Sequence, residues 1–302
     1  MISIVGSGRV GSSIAFLCMS NEIDDVILVN RTEEKAIGES LDISNSIPGS
    51  SKFSIRGTSD YSKLVGSDIV VITASADGYQ KSRTENIQSQ VNMIKEIAKN
   101  VKEFCPSAIV LMISNPLDVL TYFFQKESRF SRFHVIGIAS SLDTSRFRYF
   151  ISEKFSVPQS SIDGALVLGE HGDSMVPIFS GVRVDGRNLM DMVDDYEKAS
   201  LTSNVRNYWL QLRNFKSRSQ FGIAKNAYDV LSAIKHNREL RIPASLVLGG
   251  EYGEANVAMG VPVKINQNGI VEIEKIILDQ DESALLAESA KKIRKDIESV
   301  DI

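Results

Sequence analysis

The sequence predicts an α/β fold. A doubly wound parallel sheet spans residues 1–140, and an α+β half spans residues 141–302. Three observations carry this reading. Six short apolar segments alternate with helical ones through the first half. The first of them feeds a glycine turn, Gly6-x-Gly8-x-x-Gly11. Past residue 140 the alternation stops and two hairpin signals appear, Asp185-Gly186 and Asn268-Gly269.

The elements follow in order. Ile2–Val5 is β-branched and apolar, so it reads as a strand. Strand, glycine turn and helix N-terminus together make a seat for a dinucleotide pyrophosphate. Gly6 permits the tight turn, Gly8 lets the backbone approach the phosphates, and Gly11 lets the helix pack on the sheet. Arg9 and Val10 lie between the last two glycines, within that seat. Val26–Val29 is the second strand and Phe53–Arg56 a weaker, alternating third. Asp68–Thr73, Ile109–Ile113 and Val135–Ile138 are apolar runs of the kind buried on both sheet faces. Helices are expected over Glu85–Glu103 and Pro116–Lys126. In the second half, Leu142–Phe155 and most of Ser200–Lys235 read as helical. Val182–Asn188 and Val261–Ile273 read as hairpins, and Glu282–Ser299 as an amphipathic helix.

Composition narrows the function. The net charge of -4 disfavours nucleic acid, which calls for a basic face. No apolar run reaches the roughly 20 residues of a membrane span, and the first strand leaves no room for a signal peptide. Cys18 and Cys105 read as buried, reduced residues of a cytoplasmic protein. The three histidines lack ligand spacing with cysteines or carboxylates, so no metal site is expected.

The chemistry concentrates in a few residues. A dinucleotide fold usually places an acid at the end of its second strand to hold the ribose 2′-hydroxyl. Here Asn30 stands there, followed by Arg31 and Thr32. A neutral amide removes the repulsion of a 2′-phosphate, and Arg31 can pair with one, so NADP is expected in preference to NAD. The alternative is NAD, with Asn30 hydrogen-bonding the ribose and Arg31 solvated. His171, in Gly169–Asp173, follows the apolar stretch Ala165–Leu168. An accessible imidazole there can pass a proton, given a carboxylate to orient it and raise its pKa. Asp143 is the candidate. It shares a helix face with Arg146, which can grip a substrate carboxylate as a two-pronged fork. Taken alone, Asp143 and Arg146 would read as a surface ion pair and His171 as a loop residue. Arg148, His134 and His236 read as structural.

Together these residues resemble the lactate/malate dehydrogenase family, most closely its archaeal, lactate-dehydrogenase-like malate dehydrogenases. The motifs are G-S-G-R-V-G at 6–11 with its preceding strand, T-A-S at 73–75, S-N-P-L-D at 114–118, L-D-T-S-R-F-R at 142–148, L-G-E-H-G-D at 168–173 and G-V-P-V at 260–263. The resemblance implies a Rossmann fold and reversible hydride transfer between NAD(P) and (S)-malate/oxaloacetate, a step of the tricarboxylic acid cycle. An L-lactate or other 2-hydroxyacid dehydrogenase is the alternative; a non-catalytic dinucleotide-binding module is a distant one. It implies His171 as general acid/base, Asp143 as its orienting carboxylate and Arg146 as the clamp on the C1 carboxylate. Asn115 would bridge nicotinamide ribose and substrate, Arg83 would polarise the carbonyl from a closing loop, and Ser219 would stand near the substrate. A homodimer or homotetramer is also implied, with the helices of residues 200–235 as a candidate interface. One position departs from the family. Its malate dehydrogenases carry a second loop arginine for the distal carboxylate. Here S-A-D-G-Y-Q-K-S-R is one residue short and puts Gly78 or Asp77 there. Gln80 or Lys81 is left to substitute, and Gln80 keeps lactate/pyruvate open, since lactate dehydrogenases use an amide at this place.

Overall fold

A computed structural model describes residues 1–76 and 86–301 of the protein. The expectations placed on Asp77, Gly78, Gln80, Lys81 and Arg83 lie outside the described residues.

Strands β1 (Ile2–Val5), β2 (Val26–Val29), β3 (Ile55–Thr58), β4 (Ile69–Ile72), β5 (Ile109–Met112) and β6 (Val135–Gly137) are parallel, in the order β3-β2-β1-β4-β5-β6. Every residue of β1, β4 and β5 is buried; β4 and β5 accordingly read as unbroken apolar runs, and in β1 the one polar residue, Ser3, is satisfied by Ser67 Oγ at 2.6 Å. The crossovers carry α1 (Arg9–Ser20), α2 (Glu33–Ser44), α3 (Ile87–Phe104) and α4 (Leu117–Ser128). Strand order reverses between β1 and β4, so a crevice opens at their carboxyl ends. The glycine turn and Thr73–Ser75 lie there.

The third strand runs two residues later than its composition suggests. Gly57 reads as a strand breaker, yet a Cβ on it would fall 2.2 Å from the Ala36 carbonyl. The glycine is what lets α2 press against β3.

Helix α5 (Ser140–Phe155) opens the second half. Short strands β7 (Ile162–Asp163), β8 (Leu166–Leu168), β9 (Val176–Ile178), β10 (Arg183–Val184) and β11 (Arg187–Asn188) follow in two small sheets. The Asp185-Gly186 hairpin forms as expected, with φ +46° and +78° at the two turn residues. Helices α6 (Asp195–Arg213) and α7 (Phe221–Lys235) replace the single helical stretch, with a break over 214–220.

The remaining strands, β12 (Leu240–Gly249), β13 (Ala255–Asn266) and β14 (Gly269–Ile273), precede the last helix, α8 (Gln280–Glu298). They do not build a separate sheet. They extend the first one antiparallel beyond β6, giving nine strands. The seam is narrow, a single pair of Gly137 with Ser245. A Cβ on Gly137 would meet Ser245 Cβ at 2.8 Å and Thr121 Oγ1 at 2.9 Å. Cys18 and Cys105 are free and buried, and burial pushes their thiols up to about 12 and about 11. Among the described residues no helix is long and apolar enough to cross a membrane.

Candidate active site

The glycine turn is built to admit a dinucleotide. Gly6 sits at φ +109°, and a Cβ there would lie 2.8 Å from Ala74 N. A Cβ on Gly11 would lie 1.9 Å from the Gly6 carbonyl oxygen. Around Gly8, by contrast, a Cβ would meet nothing within 4 Å. Gly8 is the N-cap of α1, and it makes no side-chain cap and has no acid in the first turn. The helix therefore presents its first N–H groups and positive dipole end to open space, the donor set a pyrophosphate needs. Thr73 Oγ1 donates to Gly6 O (2.7 Å) and Ser114 Oγ to Ala74 O (2.6 Å), which holds the strand ends together beneath the turn.

At the end of β2, Asn30 Nδ2 donates to Ser7 Oγ (2.9 Å), and its Oδ1 accepts the Thr32 N–H (3.0 Å). Arg31 is exposed and donates to Ala76 O (3.3 Å), just past β4. Thr32 is the N-cap of α2 and makes no side-chain cap.

His171 and Asp143 meet, as the sequence reading requires. His171 Nδ1 lies 2.5 Å from Asp143 Oδ2, while Arg146 Nη1 donates to Asp143 Oδ1 at 2.9 Å. One carboxylate on the first turn of α5 thus serves both groups. All three side chains are more than nine-tenths buried, so these bonds work in a poorly screened setting. The Arg146 guanidinium also stacks 4.8 Å from the Tyr208 ring centroid on α6.

The backbone carrying His171 is clamped by side chains that residue-level reading missed. Gly169, at the end of β8, exchanges two 2.9 Å bonds with Gly260 of β13. The Glu170 N–H donates to Ser289 Oγ (2.8 Å) on α8, and the Glu170 carboxylate pairs with Lys292 (2.5 Å). The His171 N–H donates to Asp118 Oδ2 (2.7 Å) on α4, whose Oδ1 accepts Ser245 Oγ (2.6 Å). Burial raises the Asp118 carboxyl to about 7, with Glu170 and Asp143 adding to the effect and the bonds from Ser245 and His171 opposing it. Asp118 and Gly260 both lie in the quoted motifs. Ser245, Ser289 and Lys292 carry no local signal, because their role comes from strand and helix packing far away in sequence.

These groups open on a cavity of about 270 Å³ lined by Val10, Asn115, Arg146, His171 and Ser219, which joins the predicted substrate and cofactor residues. Arg213 and Arg218 line it too; sequence reading gave them no role. A neighbouring cavity of about 320 Å³ shares Leu142, Arg146 and Ser219. His134 lies in a turn before β6 and His236 caps α7, so neither enters the site.

Comparison with known proteins fits this geometry. Residues 1–137 match the lactate/malate dehydrogenase NAD binding domain, and residues 140–301 the lactate/malate dehydrogenase alpha/beta C-terminal domain. A malate dehydrogenase of Archaeoglobus fulgidus is 34% identical over 302 residues, covering 99% of both chains. An L-lactate dehydrogenase of Clostridium acetobutylicum is 32% identical, covering 99% of this chain and 98% of its own. Among solved structures, a lactate dehydrogenase of Cryptosporidium parvum, complexed with lactic acid and nicotinamide adenine dinucleotide, superposes with a TM-score of 0.94. It is 33% identical and covers 98% of this chain and 96% of its own. A malate dehydrogenase of Aeropyrum pernix superposes with a TM-score of 0.93 at 31% identity, covering 100% of this chain and 98% of its own.

Proposed function

The chain belongs to the lactate/malate dehydrogenase family and is an NAD-dependent oxidoreductase of 2-hydroxy acids, and on that premise we propose that its substrate pair is (S)-malate and oxaloacetate. The observation that carries the reading is the carboxylate shared between His171 and Arg146 inside the cavity that also holds Asn115. Malate rather than lactate is supported by three malate dehydrogenases among the relatives, each covering 94% or more of this chain; the lactate dehydrogenase relative covers 99% as well.

The bound nicotinamide supplies the hydride acceptor for C2 of the hydroxy acid. The rest falls to the chain. Asp143 holds the Nδ1 side of His171, which fixes the ring and leaves Nε2 to take the hydroxyl proton as the carbonyl forms. The same carboxylate offsets the charge the imidazole gains. Arg146, steadied by Asp143 and Tyr208, receives the C1 carboxylate. Asn115 and Ser219 both line the cavity; Asn115 would bridge the nicotinamide ribose and the substrate, and Ser219 would stand near the substrate. Arg83, outside the described residues, takes the role the family resemblance gives it, polarising the carbonyl.

NADP as the favoured cofactor is the finer part of the proposal. It is supported by an amide in place of a carboxylate at residue 30 and by the exposed Arg31 cation beside it. A homodimer or homotetramer is the other. Exposed Phe16 on α1, Tyr149 on α5 and Phe221 on α7 offer apolar surface to a second copy.

One experiment addresses substrate and cofactor together. Purified protein is assayed for NADH and NADPH oxidation against oxaloacetate and pyruvate. Preference for pyruvate would make lactate the substrate, the reading that Gln80 keeps open. His171→Asn should bind NADH normally and lose turnover; activity like the wild type would sink the role of His171. Asn30→Asp should move preference toward NADH, and an unchanged NADPH-to-NADH ratio would discard the account of Asn30.

A further inference from the structure

The first turn of α1 belongs to two parts of the site at once. Ser12 is the first residue of the helix whose N–H bonds back, to Gly8 O at 2.9 Å. The N–H groups of Arg9, Val10 and Gly11 therefore have no intrahelical partner and are left for an anion in the glycine seat. The exposed Arg9 side chain leaves that seat. It reaches the break between α6 and α7, where Nη1 donates to Ser217 Oγ at 2.7 Å.

That break forms part of the cavity wall. Ser217 and Ser219 line the cavity of about 270 Å³, as Val10 does from α1. A second bond lies one turn further along α1, on the same helix face: Ser13 Oγ accepts from Gln220 Nε2 at 2.8 Å. Beyond the break, Ile223, Ala224 and Ala227 of α7 share a buried core with Ile14 and Ala15 of α1. Positions 217–220 are thus pinned to α1 at both ends, and Ser219 lies between the pins. Arg9 has its backbone in the phosphate seat and its side chain on the wall that carries Ser219.

We propose that Arg9 is a positioning residue that couples occupancy of the pyrophosphate seat to the substrate wall at 217–220. Once their N–H groups are engaged, residues 9–11 are held. The Arg9–Ser217 bond, backed by Ser13–Gln220, passes that constraint to the wall. The acid then meets a wall already in place and gives up less freedom on binding. Cofactor and acid are coupled in this way through the chain itself, apart from any contact between them. The proposal needs a 2-hydroxy acid in the cavity but not malate in particular, so it is independent of the choice between malate and lactate.

ADP-ribose tests this without turnover, because it brings the pyrophosphate but no nicotinamide. The second ligand is (S)-malate or (S)-lactate, whichever the wild type oxidises. Its Kd is read, with and without saturating ADP-ribose, from the fluorescence of Trp209, the chain's only tryptophan, which lines the cavity. Wild type is expected to bind the acid about fivefold more tightly when ADP-ribose is present, the scale of one hydrogen bond from a charged group. Arg9→Met and Ser217→Ala, both at exposed positions, should each cut that ratio to less than about half the wild-type value. Ser217→Ala should leave the Kd of ADP-ribose alone within about twofold, and the double variant should lose no more than either single one, since both remove the same bond. A wild-type ratio below about twofold overturns the proposal, as does a ratio in Ser217→Ala above half that of wild type. Loss in Arg9→Met alone also overturns it, since Arg9 would then be a phosphate ligand and no more.

Discussion

Asp118→Asn separates the charge of a buried carboxyl from the hydrogen bonds it makes. Asp118 accepts from the His171 N–H and the Ser245 hydroxyl and is almost fully buried. An asparagine keeps both bonds. Its oxygen accepts from His171 and its amide nitrogen donates to Ser245, whose hydroxyl can reverse. What it removes is the titration. In the folded protein the Asp118 carboxyl is raised from 3.8 to about 7 by burial, with Glu170 and Asp143 adding to it. The folded state therefore binds this proton more tightly than the unfolded chain does. Stability from this group is full below the unfolded value near 4, falls as pH rises, and levels off above 7. About three pH units at about 1.4 kcal/mol each give a total near 4 kcal/mol, of which about 3 kcal/mol is lost between pH 5 and pH 8. Denaturant unfolding of wild type and Asp118→Asn at pH 5, 6.5 and 8 reads this directly. The variant should gain on the wild type by about 3 kcal/mol across that range. Parallel pH profiles for the two proteins would refute the reasoning.

Other perturbations follow from the same geometry. Gly11→Ala places a Cβ 1.9 Å from the Gly6 carbonyl oxygen, so the turn must open; NADH affinity by fluorescence titration should fall at least about tenfold, and an unchanged Kd contradicts the cradle. Ser289→Ala removes the acceptor of the buried Glu170 N–H. It should cost about 1–3 kcal/mol in urea and lower kcat by displacing His171; if neither moves, α8 does not hold the loop. Arg132, with two bonds at 2.6 and 3.0 Å, and the Gly249 N–H hold the Glu251 carboxyl down at about 2. Because its folded value is depressed, its contribution is present above about 4.5 and lost as pH falls toward 2. With both partners partly exposed, the pair is worth about 1 kcal/mol, so Glu251→Gln should flatten the acid limb of stability by that much. An acid limb identical to the wild type would dismiss the pair.

The first half was legible because its signals are local. The buried strands are continuous apolar runs, and the glycine turn announces itself by what precedes and follows it. The histidine, its aspartate and its arginine were legible for a different reason: few residue types do that chemistry, and a helix puts positions 143 and 146 on one face. Strand β12 carries no such local signal. Pro243 interrupts its pattern, yet the pairing with β13 passes through it, Pro243 opposite Pro262, and shifts register only between Val247 and Gly249. The extension of the sheet past β6 was equally hidden, since a pairing between residues 137 and 245 leaves no trace in local composition. The same holds for the cavity. Arg218 lines it from a polar break that reads as an ordinary loop.

The seam between β6 and β12 bears on how this chain tolerates recombination. Ser245 is at once the strand partner of Gly137 and the hydroxyl that holds Asp118, which in turn holds His171. Thr121 crowds the same spot. A chimera cut near residue 140 therefore inherits its catalytic loop from one parent and Asp118, one of that loop's supports, from the other. Swapped halves would have to match at Asp118, Thr121, Gly137 and Ser245 before they could work as one enzyme. The two halves look like modules along the sequence, but they are heritable only as a pair.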